Sequence, residues 1–323
     1  MRRMYKLGAL GLVSAGAVSL LFSLHTVHVQ NRSVGSRLSE MAVKIAHMWP
    51  DRIDENYIEK AIKQNNKEYA IPNDIIIDSK LQSSYKEGMK IFKITPEEKK
   101  SHKAVLYIHG GGYINQPSLF HWWFLDKLVQ ETGLEFFIPV YPKTPEFTYE
   151  KSYDLIMKLY KELSDSGYEK IILMGDSAGG GLALGFAQML RGENVKQPGE
   201  IILISPWLDI SLNHKDIKKY EQVDPMLNVD NLKKIGRMWA GDTDLKSYKI
   251  SPMHGNLEGL GRISVFVGTR EICYPDAKEF SEMLKEKGID HNYFEYHMMN
   301  HNFPLYPIKE GTTSRAQIAE IIR

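Results

Sequence analysis

Leu173-Met174-Gly175-Asp176-Ser177-Ala178-Gly179-Gly180 is an apolar run that stops at a glycine, presents one serine and continues through small residues. Upstream, Lys170-Ile171-Ile172-Leu173-Met174 has the unbroken apolar character of a strand buried on both faces. Downstream, residues 179–191 place Leu182, Ala183, Phe186, Ala187 and Leu190 on one side of a helix. Ser177 therefore sits on the turn between strand and helix. A turn this sharp crowds the backbone two residues before and two after its apex, and glycine leaves the room needed there. The spacing is G-x-S-x-G. Read instead as a dinucleotide-binding loop, the same glycines fail, because the position that should be Gly or Ala is Leu184.

Working outward, apolar strands at 104–108, 134–140, 171–174 and 201–205 alternate with helical stretches near 119–132, 149–164 and 179–191. Such alternation means parallel strands joined by crossover helices, an α/β class. A strand at 263–267, a helix at 275–287, a strand at 292–297 and a helix within 308–322 close the sheet, and strand signals also cover 75–94. Residues 206–250 break the rhythm and read as an insertion lying over the strand ends, with a helix around 231–240. Residues 31–73 read as two short amphipathic helices interrupted by Pro50. The expected organisation is an N-terminal segment at 1–30, helices contributing to a cap at 31–73, and an α/β domain at 74–323 with a cap insertion at about 206–250.

Composition excludes several classes. With 43% hydrophobic and 25% charged residues, 323 residues can bury a sizeable core. Lys+Arg 41 against Asp+Glu 40 leaves a net charge of +1, which argues against a nucleic-acid partner. Cys273 stands alone, so no intramolecular disulfide and no cysteine-rich zinc site can form. At the amino terminus, Arg2, Arg3 and Lys6 precede an uncharged run from residue 7 to 24, about 27 Å long if helical. No small-residue cleavage site follows the run, which favours an uncleaved membrane anchor over a secretory signal. By the positive-inside rule the rest of the chain would lie on the extracytoplasmic side; the alternative is a secreted protein.

A serine hydroxyl is a poor nucleophile until a histidine accepts its proton and a carboxylate fixes the histidine tautomer. In this architecture the chain order is nucleophile, acid, histidine. Three histidines follow the strand at 263–267. His291 and His297 bound a strand, whereas His301 falls on the loop beyond it and is the expected base. Glu271, on the loop leaving the strand, is the favoured acid; Asp276, after Pro275 in the first turn of a helix, is the alternative. His109-Gly110-Gly111-Gly112-Tyr113 directly follows a buried strand and offers bare backbone N–H groups to a developing oxyanion. Gly111, Gly112 and Ala178 are the expected donors. Trp122, Trp123, Trp207 and Trp239 are candidates for lining an acyl site.

From about residue 104 to 306 the chain resembles the hormone-sensitive lipase-like branch of the α/β-hydrolase superfamily, the bacterial esterase and acetyl-hydrolase group. The resemblance rests on His109-Gly110-Gly111-Gly112 and Gly175-Asp176-Ser177-Ala178-Gly179-Gly180, supported by Tyr141-Pro142-Lys143-Thr144-Pro145-Glu146, Ser205-Pro206-Trp207-Leu208-Asp209 and Gly268-Thr269-Arg270-Glu271-Ile272. It implies a mostly parallel eight-stranded sheet flanked by helices, with a helical cap. It also implies hydrolysis of small or short-chain carboxylic esters through an acyl-enzyme, with no cofactor and no metal. Two positions depart from the pattern. Many members carry Asp where Glu271 stands, and the usual His-Gly-Phe is here His301-Asn302-Phe303. Two other functions use the same residues: a non-catalytic ligand-binding protein on this fold, or an amide or lactone hydrolase.

Overall fold

The strands predicted to be buried on both faces form the middle of one sheet. In a computed structural model describing residues 19–323, the strands are β1 (Lys80–Lys86), β2 (Met89–Thr95), β3 (Lys103–Ile108), β4 (Glu135–Val140), β5 (Lys170–Asp176), β6 (Glu200–Ile204), β7 (Arg262–Gly268) and β8 (His291–Tyr296). They pair in the order β1-β2-β4-β3-β5-β6-β7-β8. β1 and β2 form an antiparallel hairpin, β2 joins β4 antiparallel, and every pairing from β4 onward is parallel. The eight-stranded, mostly parallel sheet is the expected one.

Alternate side chains of the central strands feed two cores. Leu106, Ile108, Ile171 and Leu173 pack on one face, and Val105, Tyr107, Ile172 and Met174 on the other. This is why the central strands read as continuous apolar runs. Crossover helices α3 (Leu119–Thr132), α4 (Tyr149–Asp165), α5 (Ala178–Gly192) and α8 (Tyr274–Glu286), with the terminal α9 (Lys309–Ile322), cover the two faces.

Parallel register brings the strand ends into one row. Ile108 pairs with Gly175, Asp176 with Ile204, and Gly268 with Tyr296. The loops that begin at His109, Ser177, Ser205, Thr269 and His297 therefore leave the sheet along one edge, where groups from distant parts of the chain can converge.

Before the sheet come α1 (Val34–Ile45) and α2 (Glu55–Asn65), and between β6 and β7 come α6 (Ile217–Glu221) and α7 (Val229–Ala240). Asn231 stitches the two groups, accepting the Ile53 N–H at 2.8 Å and donating to the Pro50 carbonyl at 2.8 Å. Of the apolar run at 7–24, residues 7–18 lie outside the described residues. Among the described residues, no helix is long and apolar enough to cross a membrane.

Candidate active site

The turn at Ser177 is tighter than the sequence spacing alone suggested. β5 runs on to Asp176 and α5 begins at Ala178, so Ser177 is the only residue between them, at φ 53° and ψ −124°. Such a conformation costs a non-glycine residue about 1–3 kcal/mol and persists only where its surroundings fix it. Here the Ser177 N–H donates to Ile204 O at 2.8 Å, and its carbonyl accepts from Trp207 at 3.0 Å and Gly181 at 3.1 Å. The flanking glycines have no alternative: a Cβ on Gly175 would sit 2.4 Å from Gly179 O, and one on Gly179 2.0 Å from Ile108 O.

Three side chains meet at this point. The Ser177 hydroxyl lies 2.8 Å from His301 Nε2, and His301 Nδ1 lies 2.6 Å from Glu271 Oε2. A carboxylate can only accept, so Nδ1 carries the proton and the Nε2 lone pair faces the hydroxyl. Glu271 is fixed in turn: its Oε1 accepts from Ser205 Oγ at 2.8 Å and from the Gly268 N–H at 2.7 Å. Burial pulls the His301 pKa down, but the charge and hydrogen bond of Glu271, aided by Asp224 and Asp176, leave it above the ordinary histidine value. The arrangement can take a proton from a serine hydroxyl and hold the resulting imidazolium.

The alternative acid lies elsewhere. Asp276 is buried beside Asp209 and Glu279, lining a separate cavity, and does not bond His301. His291 is held by Ser281 and Ile289 O, and His297 is exposed. Burial, then Asp209 and Glu279, push the Asp276 carboxyl up to about 8, and its Oδ2 has no hydrogen-bond partner among the described residues. From about pH 4 to 8 the folded chain therefore keeps a proton that the unfolded chain releases, so this group makes stability fall as pH rises. Asp276→Asn is expected to raise the Tm at pH 8 by several degrees and to change it little near pH 4. Thermal melts across that range check it.

Sequence reasoning missed the hub that ties the loops together. Asp176 Oδ1 accepts from Tyr107 OH at 2.6 Å and from the Gly110 N–H at 2.8 Å. Its Oδ2 accepts from Asn302 Nδ2 at 2.6 Å and His121 Nε2 at 3.2 Å. One carboxylate thus holds the glycine loop, α3 and the loop of the histidine. Burial alone would raise its pKa, but His121, Tyr107 and the Gly110 N–H bring it down to about 2.

Asn302 also explains the departure from His-Gly-Phe. It occupies the left-handed region at φ 56°, ψ 28°, which asparagine tolerates better than other side chains, and its amide adds a bond that glycine would lack. Asn302→Ala should cost about 2–3 kcal/mol of stability, from backbone strain and the lost charged hydrogen bond, and Asn302→Gly less. Urea unfolding of the two variants separates the contributions.

A cavity of about 270 Å³ opens above Ser177, lined on the sheet side by Gly111, Gly112, His121 and His301. The Gly110 N–H is committed to Asp176; Gly111 and Gly112 line the cavity together with Ser177, and Ala178 follows Ser177 at the first turn of α5. Among the described residues, none of the N–H groups of Gly111, Gly112 and Ala178 donates a hydrogen bond in the loops and turns, although the Gly111 carbonyl accepts from Ile114 and Asn115. Further lining comes from Met48, Trp49 and Tyr57 before the sheet and from Met226, Leu227 and Leu232 between β6 and β7. The aromatic lining differs from the expectation. Trp122, Trp207 and Trp239 are core residues, the last two stacked on Tyr113 at 5.6 and 4.3 Å, and Trp123 lies under Arg315; Trp49 is the tryptophan at the cavity.

Glu271, Cys273 and His301 offer three potential metal donors within 4.8 Å of one another. Burial, then the neighbouring Glu271, Asp276 and Asp224, push the Cys273 thiol up, and Nδ1 and Oε2 already bond each other. A metal would have to break that bond and deprotonate a thiol whose thiolate is disfavoured, so the Glu271–His301 pair suits proton transfer better than metal binding.

Comparison with known proteins identifies the family. Residues 105–305 match the family described as alpha/beta hydrolase fold. The chain is 28% identical over 223 residues to an esterase of Acinetobacter venetianus, spanning 68% of this chain and 74% of that one. It is 28% identical over 148 residues to the hormone-sensitive lipase of Mus musculus, spanning 44% of this chain and 20% of that enzyme. The crystal structure of a proposed esterase from Staphylococcus aureus matches with a TM-score of 0.81 at 34% identity, covering 85% of this chain and 94% of that one. The chain therefore belongs to the α/β-hydrolase family, in its hormone-sensitive lipase-like branch, and is an ester-bond hydrolase.

Proposed function

We propose that the protein hydrolyses small or short-chain carboxylic esters through an acyl-enzyme on Ser177. The observation that carries this reading is the continuous chain of hydrogen bonds from Ser177 Oγ through His301 to Glu271. His301 takes the Ser177 proton as Oγ attacks the ester carbonyl, and the oxyanion accepts hydrogen bonds from Gly111, Gly112 and Ala178. The imidazolium then protonates the departing alkoxide, leaving the acyl group on Oγ. A water gives its proton to His301 and attacks the acyl carbon, releasing the acid and restoring the hydroxyl. The cavity volume of about 270 Å³ sits at the small end of ligand pockets and supports a short acyl group.

The helices at 31–73 and the insertion at about 206–250 act together as the cap, since both supply lining residues to the cavity. The basic residues at 2, 3 and 6 and the apolar run at 7–24 support an uncleaved anchor with the enzyme on the extracytoplasmic face. Resistance of the native protein to alkaline extraction from membranes tests the anchor separately.

Pre-steady-state hydrolysis of p-nitrophenyl esters of increasing chain length tests the mechanism. The expected result is a burst of p-nitrophenol stoichiometric with enzyme and a kcat/KM that declines with longer acyl chains. A linear onset with p-nitrophenol release independent of Ser177 would overturn it. The pH profile adds a sign: because the His301 pKa is raised, kcat/KM should fall with acid through a value above the ordinary histidine value of about 6.5. Asp224→Asn, which removes one of the negative charges facing His301, should move that limb toward lower pH.

A further inference from the structure

Nine of the fourteen exposed large apolar side chains among the described residues lie between Leu20 and Met48. They are arranged, not scattered. Leu38, Met41, Ile45 and Met48 follow helical spacing along the outer side of α1 and just beyond it, with Ile45 75% exposed. The opposite side of α1 is pinned to the catalytic edge. Val43 packs with Met299, Phe303 and Tyr306, Glu40 accepts from Arg270 at 3.0 Å, and Ser33 bonds Glu310 through both N and Oγ at 2.7 Å. Arg32 reaches the Met298 carbonyl at 3.2 Å. The apolar stripe therefore rides on the loops that carry Glu271 and His301, and its last member, Met48, also lines the cavity.

Isolated exposed apolar residues are ordinary, but a concentration of this kind beside a cavity marks an interaction surface. Two observations identify its occupant. The chain arrives at the stripe directly from the apolar run: residues 19–24 are helical, Leu20 and Leu24 are exposed, and Arg37 of α1 bonds Thr26 at 2.8 Å and lies 4.0 Å over the Phe22 ring. No slack linker separates the two. Charge agrees, since residues 32–52, which carry the stripe, hold four Lys or Arg against two Asp or Glu in a chain of net charge +1. A basic segment with an apolar stripe matches an anionic lipid surface.

We propose that the α1 stripe seats the protein on a lipid surface with the mouth of the cavity turned toward it. The substrate class then becomes an ester carried by a lipid-phase molecule, its short acyl group entering the cavity and its apolar remainder following the stripe. The substrate part rests on the ester-hydrolase reading; the docking part stands apart from it.

The test uses the full chain and a Leu38→Glu/Met41→Glu/Ile45→Glu variant, with Ile45→Ser as a milder second. Vesicles of phosphatidylcholine and phosphatidylglycerol bearing brominated acyl chains quench tryptophan on contact, and Trp49 adjoins the stripe. Quenching of the parent, reduced several-fold in the triple variant and partly in Ile45→Ser, is expected. An ester dissolved in the vesicles should lose at least about tenfold in turnover in the triple variant, while p-nitrophenyl acetate in solution is hydrolysed as before. Equal quenching of parent and variants, or a parent dimer by light scattering that the triple variant makes monomeric, would overturn the proposal. Absence of any hydrolysis by the parent would instead defeat the enzymatic reading, with the quenching result still deciding the surface.

Discussion

Replacing Ser177 with alanine is expected to lower kcat for a soluble ester by roughly 10⁴- to 10⁶-fold, the loss seen when a nucleophile that works with a base and acid is removed. KM should change little, because the cavity walls and the donors of Gly111 and Gly112 stay in place. A residual acceleration of about 10³–10⁴ over water should remain from binding and the oxyanion donors. Stability is not the confounder here. Alanine must adopt the same φ of 53°, and the three backbone hydrogen bonds that hold the turn do not involve the hydroxyl. Ser177→Gly, which removes the nucleophile and the strain together, should be equally inactive and somewhat more stable. Turnover by either variant at the parental rate would leave a binding protein on this fold as the better description.

Glu271→Gln should cost about 10³–10⁴-fold in kcat, although the side chain keeps its shape. The reason lies in the donors around it. Both carboxylate oxygens accept, one from His301 Nδ1 and the other from Ser205 Oγ and the Gly268 N–H. An amide has one accepting oxygen, so its NH₂ must face either the imidazole or the Ser205 and Gly268 donors. In the first case the proton moves to Nε2 and the base is lost. In the second, a buried pair of donors confronts another donor, at about 1–3 kcal/mol. Asp276→Asn supplies the control and should leave kcat within a few-fold of the parent. Reversal of the two results would move the acid to the position the sequence offered as the alternative. Steady-state kinetics on a single soluble ester suffices for all three variants.

Strand ends and chain order were legible because they are local. The glycines around Ser177 and the run of glycines after β3 announce backbone crowding, and the position of His301 beyond the last strand follows from periodicity. The choice of Glu271 over Asp276 is visible in sequence only as loop against helix start, and the structure brings the former to His301. What escaped reading is carried by side chains that meet across long stretches of chain. Asp176 joins Gly110, His121 and Asn302 over separations of 66, 55 and 126 residues, and no local pattern encodes such a hub. The signal that could have found it was the misfit itself: an asparagine where the pattern has glycine needs both a left-handed backbone and a use for its amide. The tryptophans misled for a related reason. Large aromatics fill the core more often than they line sites, and only three-dimensional packing shows that Trp207 and Trp239 stack on Tyr113 while Trp49 lines the cavity.

The central claim is that one hydroxyl out of the whole chain is made nucleophilic by its place between β5 and α5. Intact-protein mass spectrometry after treatment with a fluorophosphonate, followed by peptide mapping, measures that directly. The prediction is a single phosphonyl adduct on Ser177, formed in the parent, slowed strongly in His301→Ala and absent in Ser177→Ala. An unmodified parent protein, or an adduct mapped to any other side chain, would contradict it.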